Sequence, residues 1–265
     1  MSPDILERIV EAKRAELEND MERVPARRMI ELSSSALPPH DFAGALQAPG
    51  GVKVIAEIKR ASPSRGAIRP AAEPGALARQ YASAGAAAIS VLTDARFFLG
   101  APGHLTEARQ STSLPLLRKD FIFDEYQIYQ SRALGADSLL LIARILAPKD
   151  LATLLGVARS LHMEPLVEVH TKEEITKALE AGARLIGVNN RDLATLTVSI
   201  ETSLALSAHL PADVVKVSES GIETRADIDR LRSAGYDAFL VGERLMRDAD
   251  PGAALRSLIE GVVGA

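Results

Sequence analysis

Six short segments hold the residues best suited to chemistry. They are Glu57-Ile58-Lys59-Arg60, Arg118-Lys119-Asp120-Phe121, Glu168-Val169-His170, Asn189-Asn190-Arg191-Asp192, Ser218-Glu219-Ser220-Gly221 and Gly242-Glu243, each closing a short apolar run. The set combines proton donors, proton acceptors and cations, as acid–base work on an anionic small molecule requires. Glu57 and Lys59 share one face of an extended segment. Gly221 and Gly242 leave backbone N–H groups open to close approach by a phosphate. Each has an ordinary reading as well: Glu57 and Lys59 as a structural ion pair, Glu168 as a counter-ion for Lys119, the glycines as plain turns. Charges that converge on one desolvated mouth need a functional reason.

The remaining chemistry-bearing residues say less. Five histidines (His40, His104, His162, His170, His209) show no metal-cage spacing and read as loop or surface residues. Cysteine is absent, which excludes disulfides, thiolate nucleophiles and Cys-ligated metal; neither metal nor cofactor is expected. Ser62-Pro63-Ser64-Arg65-Gly66 reads as a mobile loop able to cover a ligand, or as a plain Pro/Gly connector. A net charge of -4 and 4% aromatics, with no Trp, give no basis for binding nucleic acid or an anionic membrane. The longest apolar stretch, Leu139 to Ala143, is far too short to span a bilayer. Acids and bases alternate through the N-terminus, unlike a secretory signal or transit peptide. A soluble, cytoplasmic protein is expected, as a monomer or weak dimer.

Positioning these residues requires a rhythmic fold. A helix-terminating glycine followed at once by an apolar run recurs at Ser83-Ala84-Gly85-Ala86, Ala133-Leu134-Gly135-Ala136, Glu180-Ala181-Gly182-Ala183 and Ser233-Ala234-Gly235-Tyr236. Glycine suits the left-handed position that ends a helix. The spacings of 50, 47 and 53 residues each span two βα units. Eight strands are predicted at Val54–Lys59, Ala86–Leu92, Leu114–Arg118, Ser138–Ala143, Pro165–Val169, Arg184–Asn189, Val214–Ser218 and Ala238–Val241. Thr171 with Glu174, and Asp124 with Gln127, fit capping boxes. Eight alternating units predict a closed (β/α)8 TIM barrel over residues 53–265. An open doubly wound sheet also alternates, but no Gly-x-Gly-x-x-Gly follows the first strand. Residues 1–52 form a separate N-terminal helical extension packed on the barrel. There Ser2-Pro3 start a helix whose apolar face is Ile5, Leu6, Ile9, Val10 and Leu17, beneath a charged exterior that includes Lys13.

Ile55-Ala56-Glu57-Ile58-Lys59-Arg60-Ala61-Ser62-Pro63-Ser64 closely resembles the signature of the indole-3-glycerol phosphate synthases, ring-closing enzymes of tryptophan biosynthesis. The resemblance continues at Leu117 to Ile122, Pro165 to His170, Ile186 to Leu193, Ser218 to Ile222 and Leu240 to Glu243, one motif per strand. Three places depart from the family's usual pattern: Phe97 to Pro102, Leu196 to Ser199, and Glu243 where a Ser often follows the glycine.

The resemblance implies a carboxy-lyase acting on 1-(2-carboxyphenylamino)-1-deoxyribulose 5-phosphate, a phosphosugar joined to anthranilate. The ring carbon bearing the carboxylate attacks the ketone, then carbon dioxide and water leave. It further implies Lys119 as general acid and Glu168 as base, with Glu57 and Asn189 holding hydroxyls and Lys59 on the substrate carboxylate. Ser62, Pro63, Phe121, Arg191, Glu219 and Ser220 are its implied substrate contacts, and Gly221, Gly242 and Glu243 surround the phosphate. Burial near Lys59 and Arg191 would lower the Lys119 pKa and Glu168 would raise it, so the net direction stays open. A related phosphosugar barrel (a phosphoribosylanthranilate isomerase or ribulose-phosphate epimerase type) is the nearest rival, and a non-catalytic scaffold the other.

Overall fold

The computed structural model describes residues 5–192 and 195–261. The proposed Ser2-Pro3 helix start and Leu193 lie outside the described residues. Eight parallel strands close a barrel: β1 (Lys53–Ile58), β2 (Ala88–Leu92), β3 (Leu116–Lys119), β4 (Ser138–Ile142), β5 (Leu166–Val169), β6 (Leu185–Asn189), β7 (Val215–Glu219) and β8 (Ala238–Val241). Each pairs with its neighbours in sequence, and β8 closes on β1 through Val54 opposite Phe239.

Alternation along the strands separates two cores. Val54, Ala56, Ile58, Val167, Val169, Ile186 and Val188 face the helices. Ile55, Leu117, Leu166, Leu185, Val217 and Leu240 fill the barrel interior. Two residues further on, the inward positions at the top are Glu57, Lys119, Glu168, Gly187, Glu219 and Gly242. An apolar floor therefore supports a charged mouth, as the period of two dictates.

The outer ring is α4 (Pro74–Ser83), α6 (Pro102–Ser111), α7 (Glu125–Ala133), α8 (Pro148–Ser160), α9 (Lys172–Glu180), α10 (Glu201–Leu206), α11 (Arg225–Ser233) and α13 (Pro251–Glu260), with short α5 (Ala95–Phe98) and α12 (Glu243–Arg247) at the mouth. Gly85, Gly135, Gly182 and Gly235 all have φ between 86° and 93°, the left-handed termination the recurrent motif predicts. Asp124 and Gln127 make a full capping box. Thr171 accepts from the Glu174 N–H, but the Glu174 carboxylate bonds the N–H of His170 at 2.6 Å. The second cap is thus shifted by one residue.

The N-terminal segment touches the barrel at both ends. α1 (Ile5–Arg23) buries Leu6, Ile9, Lys13 and Leu17, while Ile5 and Val10 are half-buried. Its C-terminal end is tied to α7 by the Tyr126 hydroxyl, which donates to the carbonyls of Asp20 and Val24. After α2 (Ala26–Ser34), α3 (Phe42–Gln47) seats Phe42 and Leu46 in the interior cluster beneath the strand starts. Burying each of those side chains contributes roughly 1.5–3 kcal/mol, so α3 is the plug of the barrel floor. The predicted loop after β1 is a small hairpin, Ala61–Ser62 against Gly66–Ala67.

Candidate active site

Lys119 stands at the centre of the mouth. Its Nζ donates to Glu168 Oε2 at 3.1 Å and to Glu219 Oε2. Beside it, Lys59 Nζ pairs with Glu57 Oε1 at 2.8 Å. Two lysines thus face three carboxylates, all largely withdrawn from water. Burial presses the Lys119 ammonium toward neutrality, but Glu219, Glu168 and Glu57 together outweigh it and raise its pKa. Burial opposes the charge of Glu168 too, yet Lys119 and His170 hold its pKa below the ordinary carboxylate range. Glu57 is likewise lowered, by Lys59 and Lys119 acting against burial. Glu219 is the exception: burial pushes its carboxyl up to about 7 despite Lys119. Its Oε1 has no hydrogen-bond partner and faces Gly187, where a Cβ would lie 2.0 Å away. Glycine at 187 is what allows Glu219 into the barrel.

Two adjoining cavities flank this cluster. One, of about 130 Å³, has apolar walls of Leu6, Leu92, Phe98, Phe121, Leu140 and Ile142, with Lys119, Glu168 and Asn189 also lining it. The other, of about 410 Å³, is lined by Ser64, Arg65, Arg191, Ser220, Gly221, Gly242 and Glu243 among others. Glu57, Lys59, Arg191 and Ser220 border both. Arg191 donates to Ser64 Oγ at 3.0 Å and lies 3.3 Å from Glu243 Oε2, while Arg65 lies 2.9 Å from Glu243 Oε1. Arg247 Nη1 lies 3.9 Å from the same oxygen, so the Glu243 side chain is engaged with three arginines. Asn189 Oδ1 accepts from the Arg191 N–H and fixes that turn. Ser62 and Pro63 line neither cavity; their neighbours Ser64 and Arg65 do.

Several residues around the site escaped the sequence reading. Lys13 is not on a charged exterior: it is 2% exposed and reaches Asp120 Oδ1 at 3.0 Å and Asp94 Oδ2 at 3.3 Å. Asp120 also takes Thr93 Oγ1 at 2.5 Å and Arg118 Nη2 at 3.0 Å, and these partners overcome burial to hold its pKa at about 2. Asp94 caps α5, accepting from the Phe97 N–H at 2.7 Å. Lys13 thus binds α1 to the loops after β2 and β3, next to Lys119. The spacing of Leu6, Ile9, Lys13 and Leu17 on one helical face was a usable signal. His170 is likewise not a surface residue, lying beside Glu168 with its side chain 11% exposed. Its position two residues past Glu168 places it on the same strand face.

Comparisons with known proteins agree along the whole chain. The family model described as "Indole-3-glycerol phosphate synthase" matches residues 6–258. A protein of that name from Albidiferax ferrireducens is 50% identical over 258 residues, 96% of this chain and 98% of its own. Another from Carboxydothermus hydrogenoformans is 49% identical over 261 residues, 96% and 99% of the two chains. Among solved structures, a thiamine phosphate pyrophosphorylase from Pyrococcus furiosus superposes with a TM-score of 0.62 at 18% identity, covering 84% of this chain and 100% of that one. That last likeness speaks for the barrel alone. At half identity over nearly full length, this chain belongs to the indole-3-glycerol phosphate synthase family.

Proposed function

We propose that the chain closes the indole ring of 1-(2-carboxyphenylamino)-1-deoxyribulose 5-phosphate, releasing carbon dioxide and water to give indole-3-glycerol phosphate in tryptophan biosynthesis. One observation carries the reading: Lys119, bracketed by Glu168 and Glu219, sits between an apolar pocket sized for part of an aromatic ring and a polar cavity bearing Arg191. The anthranilate ring fits the walls of Leu6, Phe98 and Phe121. The phosphate fits Arg191 and the backbone at Ser220-Gly221 and Gly242-Glu243, and Lys59 offers a cation for the carboxylate.

In this arrangement the ring carbon bearing the carboxylate bonds to the ketone carbon. The carbonyl electron pair moves to oxygen, which takes a proton from the Lys119 ammonium. A lysine held charged suits this step, because the developing alkoxide is a far stronger base than an amine. Loss of carbon dioxide returns its bonding pair to the ring and restores aromaticity. The new hydroxyl then takes a second proton, from the Lys59 ammonium, and leaves as water, pushed out by the nitrogen lone pair. Glu168 accepts a proton from the methylene carbon to set the last double bond. Glu57 orients Lys59, and Asn189 orients Arg191 and the substrate hydroxyls.

The fold has no helix among the described residues long and apolar enough to cross a membrane. A monomeric enzyme working in the cytoplasm, without nucleic acid or metal, is the corresponding cellular reading. Incubation with the synthetic substrate in metal-free buffer should produce indole fluorescence. A folded protein that yields none contradicts the assignment.

A further inference from the structure

His170 carries a largely buried imidazole that the reaction scheme above does not use. It follows β5 directly, with Nε2 3.6 Å from Glu168 Oε1 and Nδ1 3.4 Å from Glu174 Oε2. Neither ring nitrogen has a hydrogen-bond partner, so the two carboxylates are its nearest polar company. The Glu174 carboxylate is itself fixed, because it accepts from the His170 N–H at 2.6 Å. The charged groups facing the ring are Glu168 on β5, Glu174 on α9 and Glu219 on β7. Lys177 of α9 is turned away to the Ala143 carbonyl at 2.7 Å. The turn at Ala143–Ile145, which packs on α9 and β5, brings only the exposed Arg144.

We propose that His170, wedged between Glu168 and Glu174, is a positioning residue of the site that turns the Glu168 carboxylate and keeps it charged. The inference rests on the reading of Glu168 as the base. Each Glu168 oxygen then has its own cation: Oε2 faces Lys119 and Oε1 faces the imidazolium. Burial disfavours the imidazolium, but Glu174, Glu168 and Glu219 outweigh it, so His170 titrates above its ordinary value. The sign follows directly. An opposite charge within about 4–6 Å lowers a carboxyl pKa by about one unit or more. While His170 is charged, Glu168 stays ionised to lower pH and the base remains competent there.

The test is the pH dependence of kcat/KM for indole formation. His170→Gln should move the acidic limb up by about one pH unit, close to a tenfold loss on that limb. His170→Arg, which keeps a cation, should return the limb toward wild type. His170→Asn, a second neutral replacement, should shift it in the same direction as His170→Gln, and decides the matter if the latter fails to fold. Glu219 titrates higher, at about 7, and is unaltered in all three, so the difference from wild type is the readout. An unmoved limb in folded His170→Gln or His170→Asn, with Glu168→Gln inactive, overturns this inference alone. Full turnover by Glu168→Gln would instead overturn the assignment of the base.

Discussion

Replacing Lys13 by Met probes the link between α1 and the charged mouth. Met fills a similar volume but leaves Asp94 and Asp120 buried without the cation they share. Breaking a buried ion pair from one side costs about 3–5 kcal/mol. Arg118 and Thr93 still hold Asp120, which places the loss toward the lower end. For a chain of this size, that corresponds to a fall in Tm of about 5–10 °C. Asp120 sharpens the pH signature, since its folded pKa of about 2 lies below the ordinary 3.8. Such a group stabilises the fold fully above pH 3.8 and loses that contribution as pH falls toward 2. Lys13→Met should therefore lose stability most at neutral pH and converge on wild type in acid. The assay is thermal unfolding from pH 2 to 8, with kinetics at each stable condition. Since Asp120 adjoins Lys119, kcat should fall at least severalfold. A Tm within 2 °C of wild type at pH 7, with unchanged kcat, would refute the reasoning.

Other outcomes follow from the same geometry. Gly187→Ala sets a Cβ 2.0 Å from Glu219 Oε1, so it should displace that carboxylate and reduce kcat by about tenfold or more, read by steady-state kinetics. At Gly242 a Cβ would meet Glu57 Oε1 at 2.4 Å, so Gly242→Val should lower kcat as well as raise KM. Arg191→Met is the cleaner phosphate test, raising KM and abolishing competitive inhibition by inorganic phosphate. Glu219 carries a raised pKa of about 7, so the folded protein keeps a proton that the unfolded chain sheds. That group lowers stability as pH rises from about 4.5 to about 7, and Glu219→Gln should flatten the decline in a denaturant titration. Deleting residues 1–24 removes Leu6 from the aryl pocket together with Lys13, so it should raise KM and lower Tm by at least as much as Lys13→Met.

The barrel was legible because its signals repeat. Glycines after helices and apolar runs at even spacing both follow from local geometry, and each strand was placed within two residues of its observed start. The charged mouth was legible for the same reason, since alternation along a strand assigns Glu57, Lys119, Glu168 and Glu219 to one side. What alternation does not carry are contacts between distant segments. Lys13 and Asp120 meet only after α1 crosses the mouth, and the charged neighbours of Lys13 in sequence disguised it. The direction of the Lys119 shift depended on Glu219 arriving beside it, which in turn depended on the bare Gly187. The hairpin at Ala61–Ser62 has strands too short to leave a pattern. Phe42 and Leu46, on a six-residue helix among loop-like prolines and serines, gave no sign of closing the barrel floor.

Lys119 as the proton donor for ring closure is the central claim, and a single-turnover experiment tests it directly. Wild type and Lys119→Met are each mixed in excess with the synthetic substrate, and indole fluorescence is followed alongside substrate binding. The expected result is binding within a few fold of wild type and a ring-closure rate lower by about 10²–10⁴-fold. Ring closure by folded Lys119→Met at a rate close to wild type would contradict it.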